Sequence, residues 1–96
     1  MASSPGYTRH GTWWVTTPDG RSLQRTGRDT LTYREGERTY RLGVEITVTG
    51  IAVNPGAVTA TDGWTLTDAE RQAVWVRARE LLDASGDPYS VDDWGA

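Results

Sequence analysis

The sequence predicts an α+β domain: an antiparallel β-meander of five or six strands, with one C-terminal helix packed on its apolar face. Three observations lead there. Over residues 38–49, Tyr40, Leu42, Val44, Ile46 and Val48 take every even position, while polar residues or Gly43 take the odd ones. That is the period of a strand with one buried and one wet face. Turn-forming groups then recur at Pro18-Asp19-Gly20, Gly36-Glu37 and Asn54-Pro55-Gly56, cutting the first two-thirds of the chain into hairpins. After Thr67 the apolar period changes from that of a strand to that of a helix.

In chain order, Gly11 to Thr17 is strand-like and Pro18-Asp19-Gly20 ends it. Arg21 to Thr26 returns as a second strand. Pairing Thr17 with Arg21 sets Val15 opposite Leu23, with Trp13 on their face and Trp14 on the other beside Gln24. Residues 29–34 form the third strand. A type II′ turn at Gly36-Glu37 pairs Glu35 with Arg38, Tyr33 with Tyr40 and Leu31 with Leu42, and brings Arg28 near Glu45. Residues 38–49 are expected as one long strand. Residues 51–60 read as another hairpin, turning at Pro55-Gly56.

Thr67-Asp68-Ala69-Glu70 is a capping box. The helix is expected over about 68–84, ended by Gly86 and Pro88. Val74, Trp75, Ala78, Leu81 and Leu82 share the face that covers the sheet, and Val76 points away. Residues 1–10 are expected as a flexible tail, 11–86 as a single domain, and 87–96 as an acidic tail that adds an edge strand or covers Val76.

Composition narrows the function. A chain of 96 residues holds one modest core. It has no cysteine, hence no disulfide framework and no thiolate metal site, which suits a cytoplasmic protein. No apolar run is long enough to span a bilayer. Residues 1–6 lack the pattern of a signal peptide.

Charge is unevenly divided along the chain. Residues 1–61 carry seven Arg against five acids, and residues 62–96 three Arg against eight, so the halves stand near +2 and −5. His10 is the only histidine and falls in the expected tail, with no serine and carboxylate held beside it for nucleophilic catalysis. Glu35 and Glu37 flank a turn and suit pairing with arginines. Neither a metal cluster nor a glycine-rich phosphate loop is found, so no enzyme activity and no cofactor is expected.

Five tryptophans are the most prominent feature. Trp64, Trp75 and Trp13 are assigned to the core. Trp14 and Trp94 lack apolar neighbours of matching phase and are candidates for partner contact. Arg21, Arg25, Arg28, Arg34 and Arg41 are candidates for a local basic patch, although the net charge of −3 weighs against nucleic acid.

Tyr33, Glu35, Gly36, Arg38, Glu45, Trp64, Thr67, Asp68, Glu70 and Arg71 together form a pattern: a strand ending Tyr-x-Glu-Gly-x-Arg, a glutamate in the next strand, a tryptophan, and a Thr-Asp-x-Glu-Arg helix start. Over about residues 29–86 the chain resembles the immunity protein 74 family, small antitoxins of bacterial polymorphic-toxin systems. The resemblance implies a cytoplasmic, non-enzymatic protein that binds and neutralises a cognate toxin domain. Two docking surfaces are expected. One is the acidic C-terminal end, Asp83, Asp87, Asp92 and Asp93 with Trp94 as anchor, suited to a basic toxin such as a nuclease. The other is the wet face of the sheet, with Trp14, Arg41 and Glu45. The alternatives are a phage or secretion-system assembly domain and, behind it, a nucleic-acid-binding sheet.

Overall fold

A computed structural model of the chain describes residues 6–91. The strands are β1 (Thr8–Gly11), β2 (Trp14–Thr16), β3 (Ser22–Gly27), β4 (Thr30–Glu35), β5 (Arg38–Thr47) and β6 (Gly50–Ala60), followed by helix α1 (Asp68–Ser85) and β7 (Tyr89–Val91). All seven strands lie in one sheet in sequence order. The class is α+β. The sheet has seven strands instead of five or six, and it is mixed, because β7 runs parallel to β6. β1 is unexpected, and β7 is the edge strand that was one of the two roles expected of residues 87–96. They have four and three residues, too short for alternation to declare them, and they carry the sheet into both segments expected as tails.

Registers follow turn chemistry where the turns are short. Val15 pairs with Leu23, and β4 meets β5 with Glu35 opposite Arg38, Tyr33 opposite Tyr40 and Leu31 opposite Leu42. Gly36 has φ 60°, and Glu37 is not among the residues with positive φ. That combination matches type II′ and excludes type I′.

The long strand ends sooner than alternation suggests. β5 stops at Thr47, and the chain reverses at Val48-Thr49 instead of Pro55-Gly56. Gly50–Ala60 then runs as one strand along β5, with Leu42 opposite Val58 and Gly43 opposite Asn54. Residues 55–57 are therefore a bulge. Asn54 Oδ1 accepts the Gly56 N–H at 3.0 Å, which satisfies a donor the ladder cannot reach. A Cβ on Gly43 would stand 3.0 Å from that of Ala57, so a bare backbone at Gly43 accommodates the bulge. Pairing β6 along β5 gives a longer ladder than folding residues 51–60 on themselves.

The helix is built as its sequence states. Thr67 and Glu70 form the capping box and Gly86 ends the helix in left-handed geometry, with φ 73°. Val74, Trp75, Ala78, Leu81 and Leu82 are buried against one face of the sheet, and Val76 is half exposed. This helix is not long and apolar enough to cross a membrane.

The helix is fastened as well as packed. Burial pushes the Glu35 carboxyl up, but hydrogen bonds from Arg77 on α1 and from Tyr33 Oη (2.7 Å) outweigh it and hold Glu35 below the ordinary glutamate range. Burial and the bond to Glu35 push the Tyr33 phenol up to about 12. Arg21, on the chain entering β3, reaches Glu80 at 3.2 Å.

Candidate functional site

The helix covers only one face of the sheet, because α1 follows a single apolar stripe and no second helix lies among the described residues. Among the described residues no element covers the opposite face around Trp14, Arg34 and Arg41, although Ala52 and Asn54 on β6 are buried. In-register pairing lays Trp14, Gln24, Thr32, Arg41 and Thr59 in one row across five strands. A second row runs Thr8, Thr16, Ser22, Arg34 and Thr39. Side chains of one parity share a face, so threonine and arginine here are the counterpart of Val15, Leu23, Leu31, Tyr33 and Leu42 beneath.

At one end of this face Trp14 is 39 % exposed. The His10 ring lies over it, centroids 4.9 Å apart, and His10 Nε2 bonds Thr16 Oγ1 at 2.8 Å. His10, expected in a tail, thus belongs to β1 and supports the tryptophan. Among the described residues its ring contacts are the Trp14 indole and the Thr16 hydroxyl.

Toward the middle stand Arg34 and Arg41. Both are exposed, and neither forms an ion pair or a side-chain hydrogen bond among the described residues. Arg34 is opposite Thr39 and Arg41 lies two residues on, a diagonal pair within reach of one ligand. Glu45 lies further along, with Thr30 and Gly43 between it and the arginines. The wider arginine patch does not form. Arg21 turns to the helix side, and the Arg25 guanidinium lies over the Trp13 ring at 5.7 Å. Arg28 lines a groove beyond the sheet's centre.

The acidic end is only partly assembled as a docking surface. Asp83 is exposed but accepts the Tyr89 hydroxyl, which also receives Arg79 Nε at 3.2 Å. Burial, and next the bond to Asp83, push the Tyr89 phenol up. The Asp87 side chain is only 9 % exposed; it takes Arg9 and the Trp13 N–H, each at 2.6 Å. Trp13 has φ 50°, the only positive value outside glycine in the described residues, a conformation that needs such a tie. Asp87 therefore joins the β1–β2 turn to the helix end, and the expected steering role gives way to a structural one. Asp92, Asp93 and Trp94 lie outside the described residues.

The tryptophans divide differently from expectation. Trp75 is buried and Trp13 half-buried against the core. Trp64 is 55 % exposed, with the Arg38 guanidinium 5.1 Å from its ring. The apolar plug before the helix is Leu66, 7 % exposed, and Trp64 sits outside it in the 61–66 loop. Its N–H bonds Asp62 Oδ1 at 3.0 Å, and Arg38 reaches Asp62 at 3.7 Å.

Of the Tyr-x-Glu-Gly-x-Arg and Trp/Thr-Asp pattern, Tyr33 and Glu35 fasten sheet to helix, Arg38 and Trp64 join β5 to the 61–66 loop, and Thr67, Asp68, Glu70 and Arg71 bond within the helix start. His10 is the open-face member that sequence reasoning did not assign to a site, and Arg34 was placed in the basic patch but not on the docking face with Trp14 and Arg41. The parity of Arg34 with Thr32 was a usable signal; β1 is too short to give one. Among the described residues no group of three or more His, Cys, Asp or Glu is placed to hold a metal ion. No family model, no curated protein and no solved structure matches the chain.

Proposed function

We propose that this chain is a non-catalytic binding domain, an immunity protein that neutralises a cognate bacterial toxin domain by docking it on the open face of the sheet. The observation that supports the reading is that face itself: an uncovered surface with Trp14 at one end and the unpaired Arg34 and Arg41 near its centre. A rigid exposed indole is a suitable anchor, and unpaired guanidinium groups suit carboxylates. The immunity role comes from the residue pattern over 29–86, and such a protein acts in the cytoplasm of the toxin-producing cell. Two arginines at the centre favour an acidic docking patch on the toxin over a basic nuclease surface. With Asp87 engaged internally, the acidic end is the weaker of the two surfaces.

The test is the rate of association and dissociation with the toxin domain encoded beside this chain. Trp14→Ala should speed dissociation at least tenfold. Arg34→Glu with Arg41→Glu should slow association, an effect that fades as salt rises. Asp83→Asn should change neither rate. Sensitivity to Asp83 with indifference to Trp14 would move the site to the helix end. No binding of that toxin would remove the immunity reading.

The same Trp14, His10 and arginines also suit a single-stranded nucleic acid, as stacking platform and phosphate contacts. Salt-dependent binding of an oligothymidylate, quenching Trp14 fluorescence, would favour that reading instead.

A further inference from the structure

The turn between β1 and β2 is held in a backbone conformation that its own residues do not favour. Gly11 pairs with Trp14, which leaves Thr12 and Trp13 as the loop, and Trp13 has φ 50°. A positive φ at the second loop position suits glycine or asparagine. For a residue as bulky as tryptophan it persists only where the surroundings hold it. The chain then sends two indoles opposite ways: Trp13 packs against the core, and Trp14 lies exposed on the open face.

What holds Trp13 comes from the helix side. Asp87 Oδ2 accepts the Trp13 N–H at 2.6 Å, and Oδ1 accepts Arg9 at 2.6 Å. The carboxylate is itself fixed to the end of α1. The Asp87 N–H donates to Ser85 Oγ at 3.2 Å, and the buried Ser85 hydroxyl donates to the Leu82 carbonyl at 2.7 Å. The Arg25 N–H donates to the Trp13 carbonyl at 3.1 Å, so both backbone groups of Trp13 are engaged.

The same hairpin carries the aromatic end of the open face. In β1, Arg9 pairs with Val15 and Gly11 with Trp14, so His10 between them is an extra residue with no partner of its own. A bulge of this kind re-aims its side chain, and here the His10 ring lies over Trp14 with centroids 4.9 Å apart. Trp14 follows Trp13 directly. The direction in which its indole leaves the turn is therefore set by the Trp13 backbone.

We propose that Asp87 is a positioning residue for the docking face: from the helix side it holds Trp13 left-handed and so presents Trp14 in one preset orientation against His10. The inference rests on the reading of Trp14 as the anchor for a toxin domain. An anchor ordered before contact loses less conformational freedom on binding, and the gain appears mainly in slower dissociation. Without the tie, Trp13 relaxes to negative φ, the chain leaves the turn in another direction, and Trp14 parts from His10. The role needs an acceptor oxygen rather than a charge, because the Trp13 N–H is the group that fixes the turn. Arg9, which is exposed, only helps to hold the carboxylate.

His10 is the only histidine, so its two ring C–H signals are unique in a proton NMR spectrum, and the Trp14 ring current displaces them. The displacement is the difference between wild type and Trp14→Ala, measured with no partner present. Asp87→Ala should lose at least half of it. Asp87→Asn, which keeps an oxygen for the Trp13 N–H, should retain most. Asp87→Ser, whose oxygen is one bond short of that N–H, is the second variant and should behave as Asp87→Ala does. Hydrogen exchange in the wild type needs no variant to fold, and the Trp13 N–H should be protected. Dissociation of the toxin domain should follow the same order, faster by about threefold or more in Asp87→Ala and largely restored in Asp87→Asn. Unmoved His10 signals in the alanine and serine variants, an asparagine no better than alanine, an unprotected Trp13 N–H, or unchanged dissociation where the signals have moved would each overturn the proposal. A wild type that binds no toxin removes the immunity reading alone, and the His10 signals still decide the positioning.

Discussion

The two halves of β5 carry one pattern and meet different fates. Tyr40, Leu42 and Val44 are buried, while Ile46, next in the same alternation, is half exposed, and Val48, just past the strand in the β5–β6 turn, is fully exposed. In the first half β4 lies on one side, β6 on the other, and α1 closes the buried face over the core. In the second half β4 has ended and β5 pairs with β6 alone. Alternation thus states which face a residue is on. Whether that face is covered depends on how far the neighbouring elements reach.

Substitutions can break this comparison, and the largest effect belongs to the covered half. Leu42→Ala should cost about 2–5 kcal/mol, since Leu42 has no exposed surface and its loss leaves a cavity. Ile46→Ala should cost under about 1 kcal/mol. The alternating pattern treats these residues alike, so equal losses in urea denaturation would show that Ile46 is covered after all.

Gly50→Ala comes next, at about 1–3 kcal/mol or more. The added methyl would meet the Pro88 backbone, so part of the loss should appear as detachment of β7. Hydrogen exchange checks this: protection should fall first at Tyr89–Val91. Protection lost uniformly would mean that the hairpin and β7 are not the unit described.

Acid sharpens the contrast through Glu35, which fastens the covered side. Its carboxyl is held below the ordinary glutamate range in the folded chain, burial opposing and the bonds from Arg77 and Tyr33 prevailing. A depressed folded value stabilises the protein above the unfolded value, and that contribution is lost as pH falls through the folded one. Glu35→Gln should therefore lower stability by about 1 kcal/mol at neutral pH. The gap should narrow steadily as pH falls below the ordinary glutamate range. A gap that widens in acid would reverse the assigned direction.

The smallest effect is expected at Val76→Ala, within about 0.5 kcal/mol, because Val76 is half exposed on the outer side of α1. A loss comparable with that of Leu42 would reveal a cover over the outer side of the helix.

Local chemistry was legible in residue order alone. The capping box at Thr67 and Glu70, the stop at Gly86 and the helix face from Val74 to Leu82 needed no distant partner to declare them. The same holds for the hairpins at Pro18-Asp19-Gly20 and Gly36-Glu37, whose glycines supply the positive φ those turns require. The face shared by Trp14 and Arg41 followed from strand parity once those registers were known.

The tertiary structure decided whatever depended on competition between distant segments. Asn54-Pro55-Gly56 is a good turn by itself, but the longer ladder of β6 on β5 turned it into a bulge and moved the reversal to Val48-Thr49, which carries neither glycine nor asparagine. Asp87 became a buried tie because Arg9 and the Trp13 N–H came to it. Trp64 stayed outside because Leu66 had taken its place under the sheet. Sequence specifies each residue's preference, but a burial site, a strand partner or a hydrogen-bond acceptor can be occupied only once, and three-dimensional packing determines which residue occupies it.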